Sequence, residues 1–196
     1  VNRVAALLDI PPRVAGGIRS DADAAELLNQ GADKISVNSP ALENPDLINE
    51  LAYRFGSQCV VLGVDSRQEG DAYNVYRNTG DPEKTAAARR DTVSWVREAE
   101  SRGAGEVVLN CMNQDGVRQG YDTVQLATVR ASCSIPLIAS GGAGAADHFV
   151  EVFKAAHVDG ALAASVFHSG EIAIADLKTH LASHGIAVRL QEPDHD

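Results

Sequence analysis

The sequence predicts an α/β fold: a (β/α)8 TIM barrel of the phosphate-binding type, made of two similar half-barrels. Three observations predict it. Apolar runs rich in β-formers alternate with amphipathic helical segments along the whole chain. The strand-like runs are nearly continuous rather than alternating, as in strands covered on both faces. One strand–glycine–helix–strand–serine pattern occurs twice.

The strands are expected at Arg13–Ala15, Lys34–Val37, Cys59–Val64, Glu106–Asn110, Pro136–Ala139 and Gly160–Ala164. Between them, amphipathic patterns predict helices over Ser20–Gln30, Asn44–Phe55, Asp91–Arg102, Asp122–Ala131, Ala145–Ala156 and Ile174–Ser183. Ser20 and Asp91 are suited to accept from the orphan amides that open a helix. Gly31, Gly56, Gly103 and Gly185 follow the last periodic residue and stop the helices. Val1 to Leu8 reads as the end of a further helix. From Gln68 to Thr85 the rhythm breaks: the stretch is polar, and its Tyr73–Tyr76 pattern suits a small hairpin in a βα loop over the active face.

The repeat decides between an open sheet and a barrel. Val14-Ala15-Gly16-Gly17, followed by Ala32 to Ser39, returns as Ala139-Ser140-Gly141-Gly142, followed by Val158 to Ser165. The offset is 125 residues at the glycines and 126 at the serines. With one strand-plus-helix unit every 25 to 45 residues or so, that period holds about four units, and two periods make the usual barrel of about 250 residues. By this count the chain carries units three to eight as a single barrel domain over 1–196, with a short acidic tail from about residue 190. The first two units, roughly 60 residues, are expected to be missing from its front.

Bulk properties narrow the ligand classes. The chain is 44% hydrophobic and 22% charged, as a soluble globular domain is. A net charge of −10 argues against nucleic acid and anionic membrane. No apolar run approaches the roughly 20 residues of a membrane span, and no basic-then-apolar leader opens the sequence. Cys59, Cys111 and Cys133 are odd in number, and the first two sit in apolar runs. That pattern fits reduced, buried thiols and a cytoplasmic location. In so acidic a chain, a phosphate needs a local site built mainly from backbone amides.

Barrel enzymes work on the loops that follow their strands. Gly16-Gly17 and Gly141-Gly142 each lie between a strand and a helix, where glycine lets the backbone approach an anion. A lone Gly-Gly pair is more often a turn. Asn38-Ser39 and Ala164-Ser165 end the next strand of each half and shift the reading to two phosphate sites, hence a substrate with a phosphate at each end. Asp65 ends the most apolar strand, where a carboxylate faces the mouth and can move a proton; a helix cap or a solvated loop aspartate is the plainer reading. Asp115-Gly116 is either a second mouth element or a simple turn. Lys34 and Glu106 start their strands, at the opposite end, and could pair there as structural charges. The six histidines show no metal pattern, and no nucleotide-binding loop is present, so no metal or cofactor is expected.

Several of these strings resemble one family. Val14-Ala15-Gly16-Gly17-Ile18, Gly31 to Ser39, Asn113-Gln114-Asp115-Gly116-Val117-Arg118, Ala139 to Gly144 and Gly160 to His168 resemble the cyclase subunit of imidazole glycerol phosphate synthase, an enzyme of histidine biosynthesis. The resemblance covers the chain up to its acidic tail. It implies a partner glutaminase whose ammonia crosses the barrel to meet a phosphoribulosyl-formimino aminoimidazole carboxamide ribotide. The products would be imidazole glycerol phosphate and aminoimidazole carboxamide ribotide. It further implies that Asp65 is one of two acid–base aspartates. Gly17, Asn38 and Ser39 would serve one phosphate; Asp115, Gly116, Gly141, Gly142, Ala164 and Ser165 match the other phosphate-side set. Lys34 and Glu106 match charges at the ammonia entrance, and Asp33 and Gln58 lie toward the partner-facing end. The family's other aspartate belongs to strand one, which this chain is expected to lack, so weak or no activity is expected of it alone. The alternatives are the sister isomerase of the same pathway and a fragment that binds phosphate or partner without catalysis.

Overall fold

The computed structural model describes residues 1–8 and 10–190; most of the acidic tail lies outside them. Six strands form the parallel wall: β1 (Arg13–Ala15), β2 (Lys34–Val37), β3 (Val60–Glu69), β6 (Glu106–Cys111), β7 (Leu137–Ser140) and β8 (Gly160–Leu162), side by side in that order. Each pairs in parallel with the next. Helices alternate with them: α1 (Asn2–Ala5), α2 (Asp21–Asn29), α3 (Ser39–Glu43), α4 (Asp46–Phe55), α5 (Thr92–Ser101), α6 (Thr123–Arg130), α7 (Ala146–Ala156), α8 (Ser165–His168) and α9 (Ile174–Ser183).

Successive strand residues point to opposite faces. Ile35 and Val37, Leu62 and Val64, Val107 and Leu109, and Leu137 and Ala139 are buried in one apolar cluster with Leu51, Trp95, Leu126 and Phe149 of the helices. The other parity carries Ser36, Gly63, Asp65, Val108 and Asn110, which line a cavity of about 440 Å3. Arg13 and Ala15 of β1 and Leu162 of β8 line that same cavity. In a flat sheet those two strands would stand about 24 Å apart, five spacings of roughly 4.8 Å. The sheet is therefore curled, as the wall of a barrel is, with β1 and β8 as its edges.

The expected elements appear with small shifts. Ser20 Oγ accepts from Asp23 N at 3.2 Å and Asp91 Oδ1 from Ser94 N at 2.8 Å, so both cap as their chemistry suggests. The helix predicted from Asn44 begins at Asp46, because Asn44 closes the separate turn Ser39–Glu43 in an extended conformation, as suits a residue before proline, and Pro45 takes the cap position. The last strand stops at Leu162, and Ala164 caps α8 instead of extending the strand. Cys111 is buried, whereas Cys59 is half-buried in a 3-10 turn; all three thiols are free.

The polar insertion is larger than a hairpin. β3 runs past Asp65 to Glu69 and returns as β4 (Ala72–Arg77), and β5 (Ala86–Asp91) adds a third antiparallel strand. Asp65 therefore does not end its strand. It lies where β3 leaves the parallel wall, one residue before the last β3–β6 pair. The arm is anchored by a fully buried polar cluster: Ser66 Oγ lies 2.7 Å from Thr92 Oγ1 and also receives Gln125 Nε2. That cluster ties the root of the arm to α5 and α6.

Candidate active site

Strand register builds the site. Asp65 of β3 stands beside Asn110 of β6, which stands beside Ser140 of β7, one row across the inner wall. Asn110 Nδ2 donates to Asp65 Oδ1 at 2.9 Å. Asn38, just past β2, donates through Nδ2 to Asp65 Oδ2 at 2.7 Å. Thr79, in the bend after β4, donates its hydroxyl to the same oxygen at 2.5 Å. The carboxylate is thus half-buried and oriented by three donors from three elements. Because Nδ2 of Asn38 must face a carboxylate, its Oδ1 is fixed as well, and that buried acceptor has no partner among the described residues. Such an atom costs stability unless a ligand's N–H or O–H meets it.

The first-half residues share one space. Gly16, Gly17, Asn38 and Ser39 line a cavity of about 810 Å3 together with Asn78, Thr79 and Gly80. It shares Ala15, Ser36, Asn38 and Gly63 with the cavity that reaches Asp65. Gly16 and Gly17 adopt φ of +92° and +77°, and a Cβ on either would meet nothing within 4 Å among the described residues. Glycine here answers to backbone conformation and open approach.

The second half repeats the backbone but not the surroundings. Gly141 and Gly142 have φ of +90° and +110°, in the same positive region as the first pair. Asn38 and Ala164 cap α3 and α8 in similar unusual conformations, φ/ψ of −134°/−98° and −120°/−65°. Yet a Cβ on Gly142 would lie 2.0 Å from Gly120 O, and one on Gly141 would lie 2.9 Å from Cys111 O and 3.4 Å from Asp115 Cα. Here the glycines let the loop carrying Asp115 and Gly116 pack onto the loop after β7, an interaction sealed by Gly120 N donating to Gly142 O at 2.9 Å. His148 Nδ1 accepts from Gly144 N and Ala145 N and holds the same loop. Asp115, Gly116, Ala164 and Ser165 are exposed. Gln114 Oε1, like Asn38 Oδ1, is a buried acceptor without a partner among the described residues. Burial pushes the Cys111 thiol and the Tyr121 phenol above their ordinary values, so both stay protonated in the apolar cluster behind the wall.

Lys34 and Glu106 pair at the opposite ends of their strands. Arg13 Nη2 also stands 2.6 Å from Glu106 Oε1, an ionic contact without hydrogen-bond alignment. Asp33 and Gln58 are exposed on that face, preceding β2 and β3. The sequence reading missed Asn110, Thr79 and Arg13. A polar residue closing the apolar run Val107-Val108-Leu109 could have revealed Asn110; nothing local marks Thr79. Among the described residues, no helix is long and apolar enough to cross a membrane, and no group of three histidine, cysteine or carboxylate side chains is placed to hold a metal.

A family model described as "Histidine biosynthesis protein" matches residues 1–173. The "Imidazole glycerol phosphate synthase subunit HisF" of Maricaulis maris is 62% identical over 189 residues, 96% of this chain and 74% of that protein. Proteins of the same name from Vibrio parahaemolyticus and Stenotrophomonas maltophilia are 59% and 60% identical, over 97% and 96% of this chain and 75% and 74% of their own lengths. This chain belongs to the HisF family. It is accordingly of the synthase type, an enzyme subunit of histidine biosynthesis, and the name "subunit" in those relatives implies a further chain in their assembly. The HisF assignment agrees with what the strings around Asn113 and His168 implied, and the sister isomerase falls behind it.

Proposed function

We propose that the mouth of this wall carries out the HisF cyclase reaction, with Asp65 as an acid–base group. The substrate is the phosphoribulosyl-formimino aminoimidazole carboxamide ribotide, and ammonia comes from a glutaminase partner. The observation that carries this reading is the carboxylate of Asp65, which lines one cavity and is held by three donors, two of which, Asn38 and Thr79, line the neighbouring one. Gly16, Gly17 and Ser39 receive one phosphate through backbone amides and a hydroxyl. Gly141, Gly142, Ala164 and Ser165, with the Asp115-Gly116 loop beside them, receive the other. Asn38 Oδ1, buried without a partner among the described residues, accepts from a substrate N–H or O–H between the two.

Ammonia enters by Lys34 and Glu106, and the glutaminase docks on the face of Asp33 and Gln58. The entrance is ionic at a buried carboxylate, which suits a passage that a neutral molecule crosses and ions do not. The second acid–base aspartate belongs to strand one of the eight-unit barrel. Closing the barrel takes two further βα units beyond the six present here, since β1 and β8 otherwise leave unpaired backbone groups. We read the working enzyme as that closed form.

The test sets turnover beside binding. Ammonia-dependent conversion of the substrate is followed for this chain and for a polypeptide extended to the length of its relatives, with calorimetry of the substrate on each. Binding by both and turnover only by the extended form is the expected result. Binding without turnover by either would favour a non-catalytic phosphate-binding role, and conversion of the isomerase substrate without ammonia would favour the sister enzyme.

A further inference from the structure

We propose that the bend Asn78-Thr79-Gly80 is a positioning element for the reaction, with Thr79 as its working side chain. The proposal rests on the acid–base role given to Asp65 above. An ionised carboxylate offers about four lone-pair directions. Thr79 Oγ1 and Asn38 Nδ2 fill both sites on Oδ2, at 2.5 and 2.7 Å, and Asn110 Nδ2 fills one on Oδ1 at 2.9 Å. One direction, on Oδ1, is left for a proton of the substrate. Without the Thr79 hydroxyl a second direction opens, and water or a rotated carboxylate takes it.

The two asparagines belong to the wall, but Thr79 comes from the arm, and the same bend reaches the phosphate side. Asn78 N donates to Ser39 Oγ at 2.9 Å. That fills an acceptor site of the hydroxyl and leaves its O–H free to donate to a phosphate oxygen. The φ of +56° at Asn78, a conformation asparagine tolerates, allows consecutive residues to reach Ser39 and Asp65. Asp81 N and the Thr85 hydroxyl both donate to Asn78 O, at 3.0 and 3.3 Å, and brace the bend from behind. One braced turn therefore sets both a phosphate-side hydroxyl and the proton-transfer carboxylate. This gives the arm a chemical task.

The experiment compares Thr79→Val, Thr79→Ser and Asp65→Asn in the extended polypeptide, assayed with an ammonium salt as nitrogen source. Thr79→Val is expected to lower kcat about tenfold, the size of one lost hydrogen bond to a charged group. KM is expected to stay within about twofold and the melting temperature nearly unchanged, while Thr79→Ser restores most of the rate. Wild-type kcat in Thr79→Val overturns the proposal. So does a loss confined to KM, a loss that follows a fall in melting temperature, or a serine variant no better than valine. Full activity in Asp65→Asn overturns it differently, by removing the role on which it rests.

Discussion

Replacing Gly142 by alanine should unfold the protein far more readily than the same change at Gly17, although the two occupy matching positions of the repeat. At Gly17 the φ is +77° and a new Cβ meets nothing within 4 Å, so the cost is the left-handed backbone alone, about 1 kcal/mol. At Gly142 the φ is +110°, and the new Cβ falls 2.0 Å from Gly120 O and 2.7 Å from its carbonyl carbon. An ordinary contact needs well over 3 Å, so the two loops must part by about 1 Å or more. That separation breaks the hydrogen bond from Gly120 N to Gly142 O, worth about 1 kcal/mol. Strain and lost packing bring the total to about 3 kcal/mol. Urea unfolding of the two variants, fitted with a common slope, should therefore separate them by about 2 kcal/mol. Equal midpoints, or a less stable Gly17→Ala, would refute the packing role assigned to Gly142.

Other consequences follow from the same geometry. Glu106→Gln leaves Lys34 and Arg13 facing a neutral amide; both are partly exposed, so the loss should be a modest 1 to 2 kcal/mol or so in chemical denaturation. Asp91→Ala removes the cap of α5 and should cost about 1 kcal/mol, read in the same assay, with Asp91→Ser close to wild type. Burial raises the Glu98 and Glu100 carboxyls, but hydrogen bonds outweigh it, from Arg90 and Arg102 to Glu98 and from Ser134 to Glu100, so both lie below the ordinary 4.5. Groups depressed on folding stabilise above the unfolded value and lose that contribution as pH falls through the folded one. The urea midpoint should thus fall as pH drops below about 4.5, less steeply in Glu98→Gln.

The wall was legible because its signals are local. Continuous runs such as Val60-Val61-Leu62 mark strands, and Ser20 and Asp91 mark helix starts. The repeat also carried real geometry, since both glycine pairs and both strand-end caps share backbone conformations. What it could not carry was the setting of each pair. Gly17 faces a cavity while Gly142 faces Gly120, a contact set by a loop some twenty residues away in the chain. Thr79 was invisible for the same reason. Its partner Asp65 is reached only because β4 returns antiparallel along β3, and the polar arm lacks the periodicity that would announce a third strand. Asn110 lay within reach, as the register partner of Asp65 in a strand already recognised.

The proposed chemistry centres on Asp65, and its most direct test is the steady-state rate of ammonia-dependent imidazole glycerol phosphate formation by the extended polypeptide and its Asp65→Asn variant. Asparagine keeps the shape and cannot exchange the proton. In the variant kcat should fall by about 10²–10⁴ with KM little changed. An Asp65→Asn variant that turns over at the wild-type rate would contradict it.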